Sequence, residues 1–197
     1  MAHYATVSSE PARRGFFTLR RLPSASHWYL LTKRLRWQAS WRTRSCSAGW
    51  RPASESVQVV DANILLYAVN EQAVNHTAAR RWLDDTLASR ETVGFAWVVL
   101  LAFLRLSTRR GVFPHPLSPD TAIGVVERWL EQPGAAVLQA GERHLALMTG
   151  LLREAGTAGN LVNDAHLAAL ALEHGAEIVS FDGDFARFAG VRRRSPV

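Results

Sequence analysis

Short apolar segments alternate with longer segments of helical periodicity between residues 57 and 181. Short apolar runs are typical of strands buried on both faces, and helical spacing of apolar residues indicates helices packed on one side. Strands joined by helices form right-handed crossovers, which produce a parallel sheet covered on both faces. The sequence therefore predicts an α/β fold, a three-layer α/β/α sandwich around a central parallel sheet of four to five strands. The predicted strands are 57–61, 93–97, 136–138 and 176–181.

Local signals mark the ends of the predicted helices. Asn75 and Ser118 are residues that cap helix N-termini, and Ser118 is followed by a proline, which favours the first helical position. Gly175 follows a helical stretch and suits a left-handed cap at its end. The predicted helices are 63–69, 75–88, 98–107, 118–132, 142–154 and 163–174.

Charge divides the chain near residue 55. Residues 1–55 contain ten basic and two acidic residues, a net charge of +8, which leaves −2 for residues 56–197 of a chain whose total is +6. The high isoelectric point therefore belongs to the first segment. A nucleic-acid function for residues 56–197 has to rest on a specific site and not on global charge.

Residues 1–55 are predicted to be an irregular basic segment separate from the folded domain of residues 56–197. The segment holds four of the seven tryptophans without a helical or strand period. It lacks the apolar region that an export signal needs after Arg13-Arg14. The favoured interpretation is upstream sequence translated from a start codon assigned too early, with the working protein beginning near Val57. A disordered basic arm that binds RNA is the alternative.

Other compositional features limit the class of protein. Cys46 is the only cysteine, which excludes an intramolecular disulfide and a zinc site built from cysteines. The longest apolar run, near residues 97–104, is far shorter than the roughly 20 residues of a membrane-spanning helix. We therefore expect a cytoplasmic protein without membrane contact.

Four aspartates lie where apolar elements begin or end. Asp61 follows the first predicted strand, Asp182 and Asp184 follow the last, and Asp164 opens a helix with its side chain on the apolar face. Ligands of parallel sheets bind at the carboxyl ends of the strands, so these carboxylates are expected to converge. Oxygen ligands favour Mg²⁺ or Mn²⁺. Each aspartate alone also suits a turn or a helix cap.

Two competing classes of site lack the residues that they need. Phosphatases and receiver domains with aspartates at strand ends normally use a lysine, and the only lysine is Lys33, in the irregular segment. There is no glycine-rich phosphate-binding loop ending in lysine. His166 and His174 are interpreted as histidines on helix surfaces.

Four segments together resemble the PIN-domain ribonucleases, and most closely the VapC toxins of bacterial type II toxin–antitoxin pairs, in the branch common in mycobacteria and other actinobacteria. The segments are VVDANILLYA (59–68), WVVLLAFLRLST (97–108), GNLVNDAHLAALA (159–171) and VSFDGDF (179–185). The resemblance covers residues 57–197 and none of residues 1–55. It implies a PIN-like fold for the predicted domain.

The resemblance also implies a function. Such a protein is a magnesium-dependent endoribonuclease that cuts structured RNA, of the transfer or ribosomal class, and is inhibited by a cognate antitoxin. Members of the family commonly form homodimers. The alternative is a catalytically weak PIN-like module that binds RNA or the antitoxin without cleavage.

The resemblance assigns roles to individual residues. Asp61 and Asp164 correspond to the principal metal ligands, and Asp182 to a further catalytic and metal-binding acid, with Asp184 as its substitute. The positions with a supporting polar role are Asn63, Asn160 and Ser180.

One departure from the family concerns the helix after the second strand. The wider family usually carries a glutamate there, whereas this helix has no acid and Phe103 stands near that place. The number of metal ions is therefore open. Arg105, Arg109 and Arg110 are candidate contacts for RNA phosphates, or else a solvated helix end. The same two interpretations apply to Arg192–Arg194.

Overall fold

A parallel sheet forms the centre of the protein in its computed structural model, which describes residues 56–113 and 115–196. The five strands of this described region are β1 (Val57–Val60), β2 (Thr92–Phe95), β3 (Ala135–Val137), β4 (Glu177–Val179) and β5 (Arg192–Arg194). They lie in the order β3-β2-β1-β4-β5, and neighbouring strands are parallel throughout. The predicted α/β sandwich is confirmed. The interpretations of residues 1–55 concern a segment outside the described residues.

Helices connect the strands as the sequence predicts. They are α1 (Ala62–Val69), α2 (His76–Ala88), α3 (Trp97–Ser107), α4 (Pro119–Leu130), α5 (His144–Glu154) and α6 (Val162–His174), with 3₁₀ turns at Gly159–Leu161 and Asp184–Arg187. None of these described helices is long and apolar enough to cross a membrane.

The predicted helix ends differ in how they are stabilised. Ser118 Oγ accepts a hydrogen bond from Thr121 N at 3.1 Å, so this hydroxyl caps α4 as expected. Gly175 closes α6 with φ of 61°, a left-handed conformation that a side chain would strain. Asn75 precedes α2, but its side chain makes no capping hydrogen bond.

Strand β5 is the element that the sequence did not predict. Its residues Arg192–Arg194 pair in parallel with β4, Ile178 opposite Arg193, so this charge run forms an edge strand of the sheet. The strand is at the sheet edge and all three residues are exposed. Its sequence therefore lacks the alternation of apolar and polar residues that would predict a strand. Arg194 reaches across β4, and its Nη2 donates to the buried Gln58 side chain of β1 at 3.1 Å.

The core lies between the sheet and the helices on its two faces. Phe103 of α3 is completely buried, and its ring meets the ring of Trp129 edge-on with 4.9 Å between centroids. Phe95 of β2 is also completely buried and stacks near the same Trp129 ring at 6.5 Å. Phe103, which the sequence resemblance places near the family's usual helix glutamate, is therefore part of the apolar core.

Replacing Phe103 by alanine should lower the free energy of unfolding by about 3–5 kcal/mol, because the change leaves a large cavity in a packed core. Leu101→Ala on the same helix is the control. Leu101 is 58% exposed, so this change should alter stability by no more than about 0.5 kcal/mol. Urea unfolding measures both values, and equal losses would show that Phe103 is not a core residue.

Candidate metal centre

Asp61 lies at the junction of two strands and a helix. It directly follows β1 and is the N-cap of α1, where its Oδ1 accepts a hydrogen bond from Ala62 N at 2.6 Å. Its own backbone N–H donates to Val179 O of β4 at 3.1 Å. The pairing of β1 with β4 therefore fixes the start of α1 and the Asp61 carboxylate together.

A small polar network holds the second oxygen of Asp61. Its Oδ2 accepts hydrogen bonds from Asn63 Nδ2 and from Ser180 Oγ, each at 2.7 Å. Asn63 Nδ2 also lies 2.9 Å from Ser180 Oγ, and Asn63 Oδ1 accepts from Phe181 N at 3.3 Å. Asn63 and Ser180 thus orient the Asp61 carboxylate from the ends of neighbouring elements.

The loop after β4 places two further acids beside this network. Asp182 N donates to Ser180 Oγ at 2.9 Å, and Asp182 Oδ1 accepts from Asp184 N at 2.9 Å. The Asp184 carboxylate pairs with Arg187 Nε at 3.2 Å. Asp182 is therefore tied into the network around Asp61, whereas Asp184 is partly neutralised by an arginine of its own turn.

Asp164 lies in the first turn of α6 and is half-buried. Its carboxylate has neither a hydrogen bond nor an ion pair within the described part of the chain. Burial, followed by repulsion from the charges of Asp61, Asp182 and Asp184, raises the pKa of Asp164 to about 6. The four predicted aspartates therefore interact electrostatically at one edge of the sheet.

The Asp61 carboxyl is subject to opposing effects. Burial raises its pKa most, hydrogen bonds from Ser180 and Ala62 lower it, and the nearby Asp182 raises it further. Its hydrogen bonds thus offset part of the cost of burying a charge. Asp164 has no such bonds, so a bound cation would relieve its electrostatic strain most.

Several predicted contact residues lie outside this network. Asn160 is exposed in the 3₁₀ turn before α6, and no described hydrogen bond joins it to the aspartates. Arg105, Arg109 and Arg110 are exposed at and beyond the end of α3, where their side chains form no ion pair with a described acid. They are placed where solvent or a ligand can reach them.

The sequence analysis named Arg193 only as a possible phosphate contact or part of a charge run, and it missed the contacts of this residue beside the centre. Its Nη1 donates to the backbone oxygen of Asp182 at 2.9 Å and to that of Ser180 at 3.3 Å. An arginine in a basic run near the end of a chain gives no sequence signal for contacts to backbone atoms of a loop eleven residues earlier.

The interpretation of His166 as a histidine on a helix surface missed its pairing with another helix. His166 is half-buried, and its Nδ1 lies 2.8 Å from His144 Nε2, while His144 Nδ1 lies 2.9 Å from Glu173 Oε2. Burial and the neighbouring His144 lower the pKa of His166, whereas Glu173 raises it. Because His144 belongs to a different helix, sequence spacing could not reveal the pairing. His174, by comparison, lies with Nε2 3.1 Å from Gln139 O.

The donor atoms of the cluster suit a hard divalent cation, since all of them are oxygens. Within residues 56–113 and 115–196, no group of three or more acids, histidines or cysteines is placed so that it could hold a metal ion. Mg²⁺ usually takes one or two carboxylates together with waters and substrate phosphates. An open arrangement around Asp61 and Asp164 fits that pattern.

Comparison with known families and curated proteins gives a consistent match. The PIN domain model matches residues 59–191. Ribonuclease VapC37 of Mycobacterium tuberculosis is 52% identical over 140 residues, which cover 71% of this chain and 97% of that protein. Ribonuclease VapC33 of the same species is 42% identical over 139 residues, with the same coverage of each chain.

Solved structures match the fold. VapBC2 from Rickettsia felis, bound to a promoter DNA fragment, aligns with a TM-score of 0.53 at 18% identity, over 71% of this chain and 98% of that one. VapC20 of Mycobacterium tuberculosis, described as a sarcin-ricin loop cleaving toxin, aligns with a TM-score of 0.51 at 22% identity, over 68% and 98%. At these identities the likeness concerns the architecture alone.

The raised pKa of Asp164 predicts a pH-dependent stability of the metal-free protein. The folded carboxyl keeps its proton up to about pH 6, whereas the unfolded one loses it near 3.8, so stability should fall as pH rises between these values. Asp164→Asn removes this penalty. Above pH 6 the variant should be more stable than the parent by about 1 kcal/mol after solvent screening is allowed for.

Urea unfolding with a chelator, at pH 4 and pH 7.5, measures the effect. The variant and the parent should agree more closely at pH 4, where the folded parent carboxyl is protonated as well. Glu142→Gln, at an exposed acid in the loop before α5, is the control and should show no such gain. An Asp164→Asn protein less stable than the parent at pH 7.5 would contradict the electrostatic account.

Proposed function

The chain belongs to the PIN-domain family and, within it, to the VapC ribonucleases, and from this premise we propose that it is a toxin endoribonuclease controlled by a cognate antitoxin. The curated relatives with 52% and 42% identity are named ribonucleases, and the chain covers 97% of each. The observation that carries the proposal is the half-buried Asp164 carboxylate, which has no described partner and faces the charges of three other aspartates.

The proposed reaction is hydrolysis of an RNA phosphodiester. VapC ribonucleases of the PIN family depend on a metal ion. When bound, such an ion supplies Lewis-acid activation of water and neutralises charge that develops on the phosphate. Asp61 and Asp164 would hold it, with Asp182 as the third acid and Asp184 as its substitute. Asn63 and Ser180 fix the Asp61 carboxylate through the hydrogen bonds described above.

We assign Mg²⁺ as the ion, with Mn²⁺ as a substitute. The support is the donor set, because carboxylate oxygens prefer hard cations, and Mg²⁺ leaves coordination positions to water and phosphate. The chain's own contribution is a cluster of negatively charged carboxylates that is already formed in the metal-free fold. Repulsion among these carboxylates makes the metal-free centre electrostatically unfavourable and the loaded centre favourable.

Membership in the VapC group supports the remaining assignments. The substrate is proposed to be a structured RNA of the transfer or ribosomal class, and the partners are a cognate antitoxin and a second copy of the chain. The cytoplasm, where these RNAs are found, is the proposed site of action. A module that binds RNA or the antitoxin without cleavage is the alternative, because α3 lacks the acid that the wider family carries and Phe103 is buried.

A surface beside the aspartates suits an RNA strand. In the pairing of β1 with β2, Val59 is opposite Gly94, and the extended backbone of Asp61 and Ala96 continues this register. Trp97, the first residue of α3, therefore directly follows the residue that lies beside Asp61 in this register. It is 53% exposed, and Arg105 lies two turns further along the same helix face. An indole for stacking and a guanidinium for phosphate are typical of single-stranded RNA sites.

Asp164→Asn should lower RNA cleavage by at least about 100-fold, comparable with loss of one preorganised electrostatic group from an active site. The assay follows cleavage of total transfer and ribosomal RNA in Mg²⁺ or Mn²⁺, and growth arrest on expression gives a second readout. Glu142→Gln should cleave like the parent. Undiminished cleavage by a folded Asp164→Asn protein would refute the metal-centre assignment, and RNA binding by a parent that never cleaves would support the alternative module.

Trp97→Ala should weaken RNA binding by about 1–3 kcal/mol, the usual value of one base stacked on an aromatic side chain. Binding is measured by anisotropy of a labelled RNA, with Asp164→Asn as the background so that the RNA is not cut. Leu145→Ala is the control, since Leu145 is an exposed apolar residue on α5, 76% exposed against 53% for Trp97. Equal affinities for the Trp97→Ala and control proteins would remove Trp97 from the RNA surface.

A further inference from the structure

The side chain of Arg193 is hydrogen-bonded to the loop that carries Ser180, Asp182 and Asp184. One nitrogen, Nη1, donates to two backbone oxygens, of Asp182 at 2.9 Å and of Ser180 at 3.3 Å. The guanidinium therefore spans the segment between these two residues. This contact is independent of the carboxylates, because no ion pair between Arg193 and a described acid is present.

Every polar group of Ser180 takes part in a hydrogen bond. Its backbone N–H donates to Arg194 O of β5 at 3.1 Å, its backbone oxygen accepts from Arg193, and its hydroxyl donates to Asp61 Oδ2 at 2.7 Å. The same hydroxyl accepts from Asp182 N at 2.9 Å. A shift of the backbone at Ser180 would therefore disturb both Asp61 and Asp182.

We propose that Arg193 is a positioning residue of the metal centre: by holding the Ser180 and Asp182 carbonyl groups, it fixes the Ser180 hydroxyl against Asp61 and sets the place of the Asp182 carboxylate. The proposal rests on the function proposed above. Strand β5 thereby has a role beyond closing the sheet edge, since it presents this arginine to the acid-bearing loop.

The direction of the change in metal affinity distinguishes a positioning role of Arg193 from an effect of its charge. A guanidinium beside a cation site repels the cation, so removing its charge alone would strengthen metal binding. Loss of positioning has the opposite effect. Residues that orient metal ligands typically contribute about 10- to 100-fold to metal affinity. Arg193→Gln therefore has opposite outcomes under the two explanations.

The neighbouring residue of the same strand provides a matched control. Arg192 has the same charge, but its Nη2 donates to Gly175 O at 2.9 Å, at the C-terminal end of α6 and away from the acid-bearing loop. Arg192→Gln removes one arginine and one hydrogen bond to a backbone oxygen from β5, whereas Arg193→Gln removes one arginine and two such hydrogen bonds. Differences between the two variants therefore report on the loop contact.

The test measures Mn²⁺ binding by calorimetry on the full chain and amide hydrogen exchange of Asp182 on the metal-free protein. Arg193→Gln should bind Mn²⁺ about 10- to 100-fold more weakly and exchange the Asp182 amide faster. Arg193→Lys, whose ammonium can donate to both carbonyl oxygens, should recover a large part of the affinity. Arg192→Gln should match the parent in both measurements, and urea unfolding establishes that each variant is folded.

Mn²⁺ binding by Arg193→Gln as tight as that of the parent, or tighter, would overturn the proposal. Equal exchange rates of the Asp182 amide in Arg193→Gln and Arg192→Gln would also overturn the proposal. This result can be obtained even if Arg193→Gln is too unstable for calorimetry. A parent protein that binds no Mn²⁺ would instead refute the proposed function. The hydrogen-exchange result does not depend on metal, so the two failures are distinguishable.

Discussion

The hydrogen-bonded, half-buried carboxylate of Asp61 is the feature on which the site and its surroundings depend. Burial alone would strongly favour the protonated form, and hydrogen bonds from Ala62, Asn63 and Ser180 offset that cost. The donors come from the start of α1 and from the end of β4. One charged group thus fixes where the first helix begins and where the loop after the fourth strand runs, and both are needed to place the other acids.

Asp164, by contrast, is a carboxylate whose cost of burial is not offset by hydrogen bonds from the described residues. It is half-buried near three other negative charges, and its pKa of about 6 reflects a cost that the fold bears in the metal-free state. Proteins are stable by only a small margin, so such a cost persists where it serves a function. In the proposed metal centre, Asp61 is the ligand oriented by hydrogen bonds, and Asp164 is the one that the ion would stabilise.

The sequence predicted the α/β architecture and the gathering of four aspartates, because strand ends and helix starts follow from apolar periodicity and parallel strands share one carboxyl edge. It failed where the relevant contacts are long-range and unpatterned. The exposed edge strand of Arg192–Arg194 has no apolar alternation, and the pairing of His144 with His166 joins two helices. The sequence also gave no sign of the contact between Phe103 and Trp129, which joins two helices in the core.

The buried Phe103 increases the importance of the loop after β4. With no acid on α3, the loop acids Asp182 and Asp184 are the ones whose charges act on Asp164, and Asp182 also acts on Asp61. Asp184 is paired with Arg187, and Asp182 N is bonded to Ser180 Oγ. A third carboxylate on a loop is less rigidly placed than one on a packed helix, since loops have fewer buried contacts. A centre of this kind requires an anchor for the loop, and the hydrogen bonds from Arg193 to two of its carbonyl groups meet that requirement from the edge of the sheet.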